Sequence, residues 1–195
     1  MVVLTYPFEE KRVRALRVGD VVRLSGRVFT GRDRLHGYLF EGGKPPVDLS
    51  NGAIYHCGPV VVGREGAWKV KAAGPTTSLR HEQFMAEIIR RHGVRIVIGK
   101  GGMGRRTLQA CADFGCVYLQ AVGGCAGVLA AGIQRVEGVR FLEEFGSTEA
   151  LWIFQVSDLE AVVTMDSTGK SLYEDVRAGS CAALDALISK QAFIK

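Results

Sequence analysis

Val94-Arg95-Ile96-Val97-Ile98-Gly99-Lys100-Gly101-Gly102-Met103-Gly104-Arg105-Arg106-Thr107-Leu108 is the stretch on which the fold reading turns. Val94 to Ile98, apolar but for Arg95, has the pattern of a strand buried on both faces. The glycines after it form a tight turn, and residues 105–114 continue as a helix. A strand that feeds a helix in this way is half of a crossover unit, so the next strand lies parallel to the first. That unit then repeats: a strand at 116–120, a second glycine turn at 121–127 and a short helix through Ala131. Upstream, Phe84, Met85, Ile88 and Ile89 make the apolar stripe of an amphipathic helix. Thr77 or Ser78 is its candidate N-cap, and Gly93 its stop.

Outward from this centre the chain is β-rich. Residues 18–30 alternate with β-branched side chains, as one long strand or a hairpin arm would. A short helix is expected over 32–40, ended by Glu41-Gly42-Gly43-Lys44-Pro45-Pro46, and short strands over 53–56, 59–62 and 68–72. Towards the C-terminus, strands are expected near Arg140 and over 151–156 and 161–165, then a turn at 166–169 and a helix over about 172–190. The expected fold is mixed α/β in three layers: a β-rich layer, a partly parallel sheet, and helices outside. No linker is long enough to divide the chain, so residues 1–195 read as one domain.

Composition narrows the function classes. With 47% apolar and 23% charged residues the chain has the means to fold. Its 25 glycines exceed the usual share of about 7%, and they sit between apolar runs, marking tight loops rather than disorder. The net charge is +5, but the basic residues are dispersed, with only short pairs such as Arg90-Arg91 and Arg105-Arg106. That pattern disfavours nucleic acid and suits an anionic small molecule or an acidic partner. There is no apolar run long enough to span a membrane and no signal-peptide layout, so a cytoplasmic protein is expected. The five cysteines, Cys57, Cys111, Cys116, Cys125 and Cys181, contain no C-x-x-C pair and read as buried free thiols rather than metal ligands.

Gly99 to Gly104 matches G-x-G-x-x-G between a strand and a helix, which invites a dinucleotide site. That site needs an acidic residue about 20 positions on, yet no Asp or Glu occurs between Asp113 and Glu137. A Walker loop fails as well, because Gly101 rather than Ser or Thr follows Lys100. Two readings then stand: an anion seat of glycine amides with Lys100 beside it, or a turn that needs only positive φ angles. At the second junction, Pro75-Thr76-Thr77-Ser78-Leu79-Arg80 sets three hydroxyls at a helix start. Arg80 runs against the preference of a first turn for acids, as a residue aimed at a carboxylate would. The alternative is that Thr77 is a plain cap and Arg80 points to water.

Gly74-Pro75-Thr76-Thr77-Ser78-Leu79-Arg80 together with Gly99-Lys100-Gly101-Gly102-Met103-Gly104 resembles the β subunit of class I fumarases and of the related L-tartrate dehydratase. The likeness includes Arg17-Val18-Gly19-Asp20-Val21, Leu24-Ser25-Gly26 and Gly31-Arg32-Asp33, with His36 close behind. It continues through Ala53-Ile54-Tyr55-His56-Cys57-Gly58-Pro59, Gly123-Gly124-Cys125-Ala126 and Glu149-Ala150-Leu151-Trp152-Ile153. The resemblance implies a swivelling β/β/α domain that closes over a [4Fe-4S] cluster held by an α subunit, where the open iron acts as a Lewis acid on substrate and water. It implies no metal or cofactor ligand in this chain, an α2β2-type hetero-oligomer, and a dicarboxylate substrate. Carried over, the substrate-contacting residues are Arg32, Arg80 and Lys100, and the proposed catalytic base is Thr76. A threonine hydroxyl is a poor base, and a partner carboxylate is the other candidate. Reversible hydration of fumarate to L-malate is the leading activity and L(+)-tartrate dehydration the runner-up. A stand-alone anion- or nucleotide-binding module is a more remote third.

Overall fold

The computed structural model describes residues 1–191. Its strands are β1 (Val2–Thr5), β2 (Val21–Thr30), β3 (Ala53–Tyr55), β4 (Val60–Val62), β5 (Lys69–Ala72), β6 (Ile96–Gly99), β7 (Val117–Gln120), β8 (Ile133–Arg140) and β9 (Leu151–Met165). Its helices are α1 (Glu10–Arg14), α2 (Asp33–Phe40), α3 (Glu82–His92), α4 (Arg105–Phe114), α5 (Ala126–Ala131), α6 (Leu142–Phe145) and α7 (Leu172–Gln191). The main sheet runs β1-β2-β3-β6-β7-β9-β8, and an extra β2–β9 pairing closes β2, β3, β6, β7 and β9 on themselves. Neighbours from β1 to β7 are parallel, while β9 is antiparallel to β2, β7 and β8. The fold is therefore mixed α/β with a partly parallel sheet. The β-rich part and the crossover units share that one sheet.

Alternate residues of the central strands enter two separate cores. Ala53, Tyr55, Ile96, Ile98, Val117 and Leu119 pack on one face with Trp152 and Phe154. Ile54, Val97 and Tyr118 pack on the other against Met85, Ile88 and Ile89 of α3 and Leu108 and Cys111 of α4. Burial on both faces explains why β6 reads as an unbroken apolar run. Each buried Val, Leu, Ile, Phe or Met side chain among them contributes about 1.5–3 kcal/mol relative to exposure. Gly93 ends α3 at φ +61°, and Gly115 ends α4 at φ +70°, as left-handed caps do.

Some expectations change. The strands expected over 151–156 and 161–165 are two halves of the single strand β9. Its first half pairs with β8 and its second with β7, and both halves pair with β2. The gap left between them at 157–160 holds an irregularity rather than a break: Asp158 sits at φ +53°, near a register shift at Leu24/Gly26 of β2. The expected long arm is one strand, β2. Strand β1 and helices α1 and α6 are too short for periodicity to reveal. Among the described residues, no helix is long and apolar enough to cross a membrane.

Candidate active site

The carboxyl ends of β2, β3, β6 and β7 share one edge of the sheet. Ligands gather at such an edge because loops and helix starts converge there. β2 leads through Gly31 to Arg32, β3 to His56 and Cys57, β6 to Lys100, and β7 to the turn at Gly123. The antiparallel β4–β5 hairpin carries the chain out and back, so that Pro75 returns to pair with Cys57.

That return locks two distant segments together. The Thr76 N–H donates to the His56 carbonyl at 2.7 Å, the Lys100 N–H to the Thr76 carbonyl at 3.3 Å, and the Ser78 N–H to the Lys100 carbonyl at 2.9 Å. Arg80 is joined to the start of α2, its Nη2 donating to Asp33 Oδ2 at 2.5 Å. The adjacent Arg32 is half-buried and lies 3.3 Å from Glu149 Oε1. A methyl group on Gly58 would overlap the Arg32 guanidinium, so glycine leaves it room. Lys100 is half-buried with its stem beside Gly123, and among the described residues no carboxylate pairs with it. All four predicted residues thus come to one edge, Thr76 with Lys100 through the main chain and Arg80 with Arg32 through Asp33.

Neither Thr77 nor Ser78 caps a helix. A 3-10 turn, Ser78–His81, precedes α3. The Ser78 hydroxyl is occupied elsewhere, accepting from the Tyr118 hydroxyl at 2.9 Å and lying 2.8 Å from His56 Nδ1. The glycine turn is not an open anion seat either. The Glu82 carboxylate accepts from the amides of Gly104 (2.7 Å), Arg106 (3.0 Å) and Thr107 (3.2 Å) and from Thr107 Oγ1 (2.7 Å). The Gly101 amide donates to Gln120 Oε1 at 3.0 Å. The start of α4 already holds the protein's own carboxylate, so a stand-alone nucleotide- or anion-binding module has no seat there. Gly101 and Gly102 do serve positive φ angles, +78° and +74°. The chain's one Gly-Lys-Ser, Gly169-Lys170-Ser171, has Thr164 where a Walker loop needs its first glycine. It belongs to a turn held by Asp166.

Sequence reasoning missed Asp33, His81, Glu82 and Tyr118, and gave no role to His36 and His56. Its one usable signal was that His36 and His81 lie within four residues of Arg32 and Arg80. A cleft of about 940 Å³ lies between the glycine turn and α7, lined by Leu79, Met103, Leu108 and Tyr173. None of the four predicted residues lines it.

A family model described as "Fumarase C-terminus" matches residues 1–176. This chain belongs to the fumarase C-terminus family. Its similarity to a protein of Geobacillus stearothermophilus provisionally named fumarate hydratase class I is 51% identity over 185 residues, 94% of this chain. It spans only 36% of that protein's length. A chain of Methanocaldococcus jannaschii provisionally named L(+)-tartrate dehydratase subunit beta is 40% identical over 184 residues, covering 92% of this chain and 94% of that one. The L(+)-tartrate dehydratase subunit beta of Escherichia coli K12 is 38% identical over 172 residues, covering 87% and 85%. The family resemblance read from the two segments is therefore correct. The cysteines of this fumarase C-terminus chain do not gather into a metal site among the described residues. Cys57, Cys111 and Cys116 are buried, while Cys125 is half-buried and Cys181 exposed, against the expectation that all five are buried. The Cys116 thiol and burial together push the Cys111 thiol well up, away from the thiolate a ligand must be. Among the described residues, no group of three or more His, Cys, Asp or Glu could hold a metal ion.

Proposed function

We propose that this chain is the β subunit of a hydro-lyase that interconverts fumarate and L-malate, working with a cluster-bearing α subunit. The observation that supports the reading is the edge itself, to which the chain brings Arg32, Arg80 and Lys100 together with Thr76. A dicarboxylate brings two negative charges, and guanidinium groups meet carboxylates in bidentate geometry. In this reading Arg80 and Arg32 hold the carboxylates, and Lys100 stabilises the charge that develops as the C–H proton leaves. Thr76 Oγ1 stands at the proton to be removed, its deprotonated form favoured by the neighbouring cations. The [4Fe-4S] cluster belongs to the partner. The exposed Leu79 and Val122 beside these residues, 56% and 61% accessible, are the apolar rim that a closing subunit would cover.

A second reading, L(+)-tartrate dehydratase, is favoured by the names of the relatives at 40% and 38% identity. The two substrates differ by one hydroxyl, and one contact can set that preference. The test is anaerobic co-expression with the α subunit and comparison of turnover on L-malate and L-tartrate. Arg80→Ala and Lys100→Ala are each expected to lower kcat/KM at least about 100-fold. Inactivity on both substrates with a fully assembled cluster would sink the hydro-lyase reading, and near-normal kinetics in either variant would remove that residue from the site.

A further inference from the structure

Directly behind the cationic edge lie three histidines that the reaction does not use. His36 of α2, His56 after β3 and His81 at the end of the 3-10 turn are all fully buried. Their ring centroids are 4.5 Å apart for His56–His81, 4.7 Å for His36–His81 and 5.0 Å for His36–His56, with the planes 61–73° apart. Glycines make room for them: a methyl group on Gly31 would stand 2.8 Å from His36 Nε2, and one on Gly99 would stand 3.3 Å from His56 Nδ1. Both ring nitrogens of His36, both of His81 and the Nε2 atom of His56 are buried without a hydrogen-bond partner. Burial holds all three rings in the neutral form at pH 7.

A neutral imidazole has one donor nitrogen and one acceptor. The Tyr118 hydroxyl donates to Ser78 Oγ, so the Ser78 proton is free to go to His56 Nδ1, which puts the His56 proton on Nε2. His81 Nδ1 lies 3.2 Å from Asp33 Oδ1, a polar contact that falls short of hydrogen-bond alignment, and because a carboxylate only accepts, the tautomer that suits this contact carries its proton on Nδ1. Asp33 Oδ2 in turn accepts from Arg80. The charged groups facing His81 are Asp33, Arg80 and Arg32.

We infer that His81, wedged by His36 and His56, is a positioning residue: through Asp33 it aims the Arg80 guanidinium at the substrate carboxylate. The Arg80–Asp33 pair is about half exposed, 49% and 45%, and such pairs alone fix geometry weakly. Anchoring the carboxylate from the dry side supplies what the pair lacks. A neutral N–H suits this task better than a cation, which would compete with Arg80 for Asp33. With one N–H spent on Asp33, the rest of the guanidinium fork remains for the ligand.

The inference rests on Arg80 as a substrate clamp, and its test separates the two. In the assembled α–β enzyme, His81→Phe keeps a ring but removes the donor, while His81→Asn returns a donor near the Nδ1 position. The expected result is a KM for the dicarboxylate raised about tenfold or more in His81→Phe, with kcat within about threefold, and largely restored in His81→Asn. Asp33→Asn, at an exposed position, is expected to raise KM similarly. Equal effects of Phe and Asn at position 81, or an unchanged KM in all three variants, would overturn it. Independently of activity, 15N NMR of histidine-labelled full-length chain is expected to show a neutral Nδ1–H tautomer at His81, and an Nε2–H tautomer would overturn the inference. Wild-type enzyme inactive on both substrates would refute the hydro-lyase reading while leaving the tautomer result to stand or fall by itself.

Discussion

A methyl group on Gly99 would overlap Ser78 Oγ and stand 3.0 Å from the Tyr118 hydroxyl. Those two groups and His56 are bonded to one another and cannot turn aside. Gly99→Ala is therefore expected to destabilise the chain by about 1–3 kcal/mol in urea unfolding. Gly123→Ala, whose methyl group would meet only the Lys100 stem at 3.6 Å, is expected to stay within about 0.5 kcal/mol. An equal loss in both variants would show that the hydroxyl–imidazole contact is not what demands glycine. The letters at 99–104 spelled a phosphate fingerprint, and single-sequence reading had no access to the side chain that fills the space. Histidines extend the point to pH. Burial lowers the pKa of His36 and His56 well below the ordinary value and that of His81 to about 4, and it also lowers His92. Unfolded histidines take up protons near pH 6.5, so below that pH the unfolded state binds more protons and stability falls with pH. Each affected histidine adds up to about 1.4 kcal/mol per pH unit to the slope. Tm measured from pH 7.5 to 4.5 is expected to drop, and less steeply in His36→Leu. An identical slope in that variant would exclude His36 as a contributor.

Helix α4 begins on a carboxylate that lies on the first turn of α3, since Glu82 bonds the amides of Gly104, Arg106 and Thr107. Removing it leaves those amides at a positive helix end without their acceptor. Glu82→Ala is expected to cost about 1–2 kcal/mol, and Glu82→Gln less, because one acceptor oxygen remains. Amide hydrogen exchange at residues 104–107 checks the mechanism: exchange there is expected to accelerate before the rest of α4 does. Uniform acceleration along the helix would point to lost packing instead. Elements whose own residues carry a period were legible, which covers α3 with its Met85, Ile88 and Ile89 stripe, and also β6, β7 and α4. What joins them was not. Local pattern carries no record of a cap supplied from more than twenty residues away, nor of a strand such as β9 that changes partner at Ser157-Asp158. The same limit applied to the site: the chain's order named Arg32, Thr76, Arg80 and Lys100 through likeness, but their joining through Asp33 and the His56 carbonyl is a property of the folded edge.

Closure of the sheet by β9 divides the molecule into parts of unequal weight. Trp152 and Phe154 of β9 sit in the same core as Ile96, Ile98 and Leu119, so the closed strands unfold together. Helix α7 stands outside this unit. Every side chain from residue 174 to residue 189 is exposed, Val176, Leu184, Leu187 and Ile188 among them. Its connection to the body is Tyr173, whose hydroxyl donates to Gln120 Oε1 and accepts from Thr164 Oγ1, and whose ring fills the space a side chain on Gly102 would need. The Arg105–Glu174 ion pair beside it is largely exposed and adds little. The family match itself ends at residue 176. A chain truncated after Val176 keeps Tyr173 and every core contact, so its unfolding free energy is expected to lie within about 0.5 kcal/mol of the full chain. Tyr173→Ala removes a half-buried ring and two hydrogen bonds and is expected to cost about 2 kcal/mol. Urea unfolding followed by the fluorescence of Trp152, which is buried with its ring 5.5 Å from that of Trp68, distinguishes the two. A truncation as costly as Tyr173→Ala would mean that α7 stabilises the domain along its length; a harmless truncation leaves its apolar residues without a part in the stability of this fold.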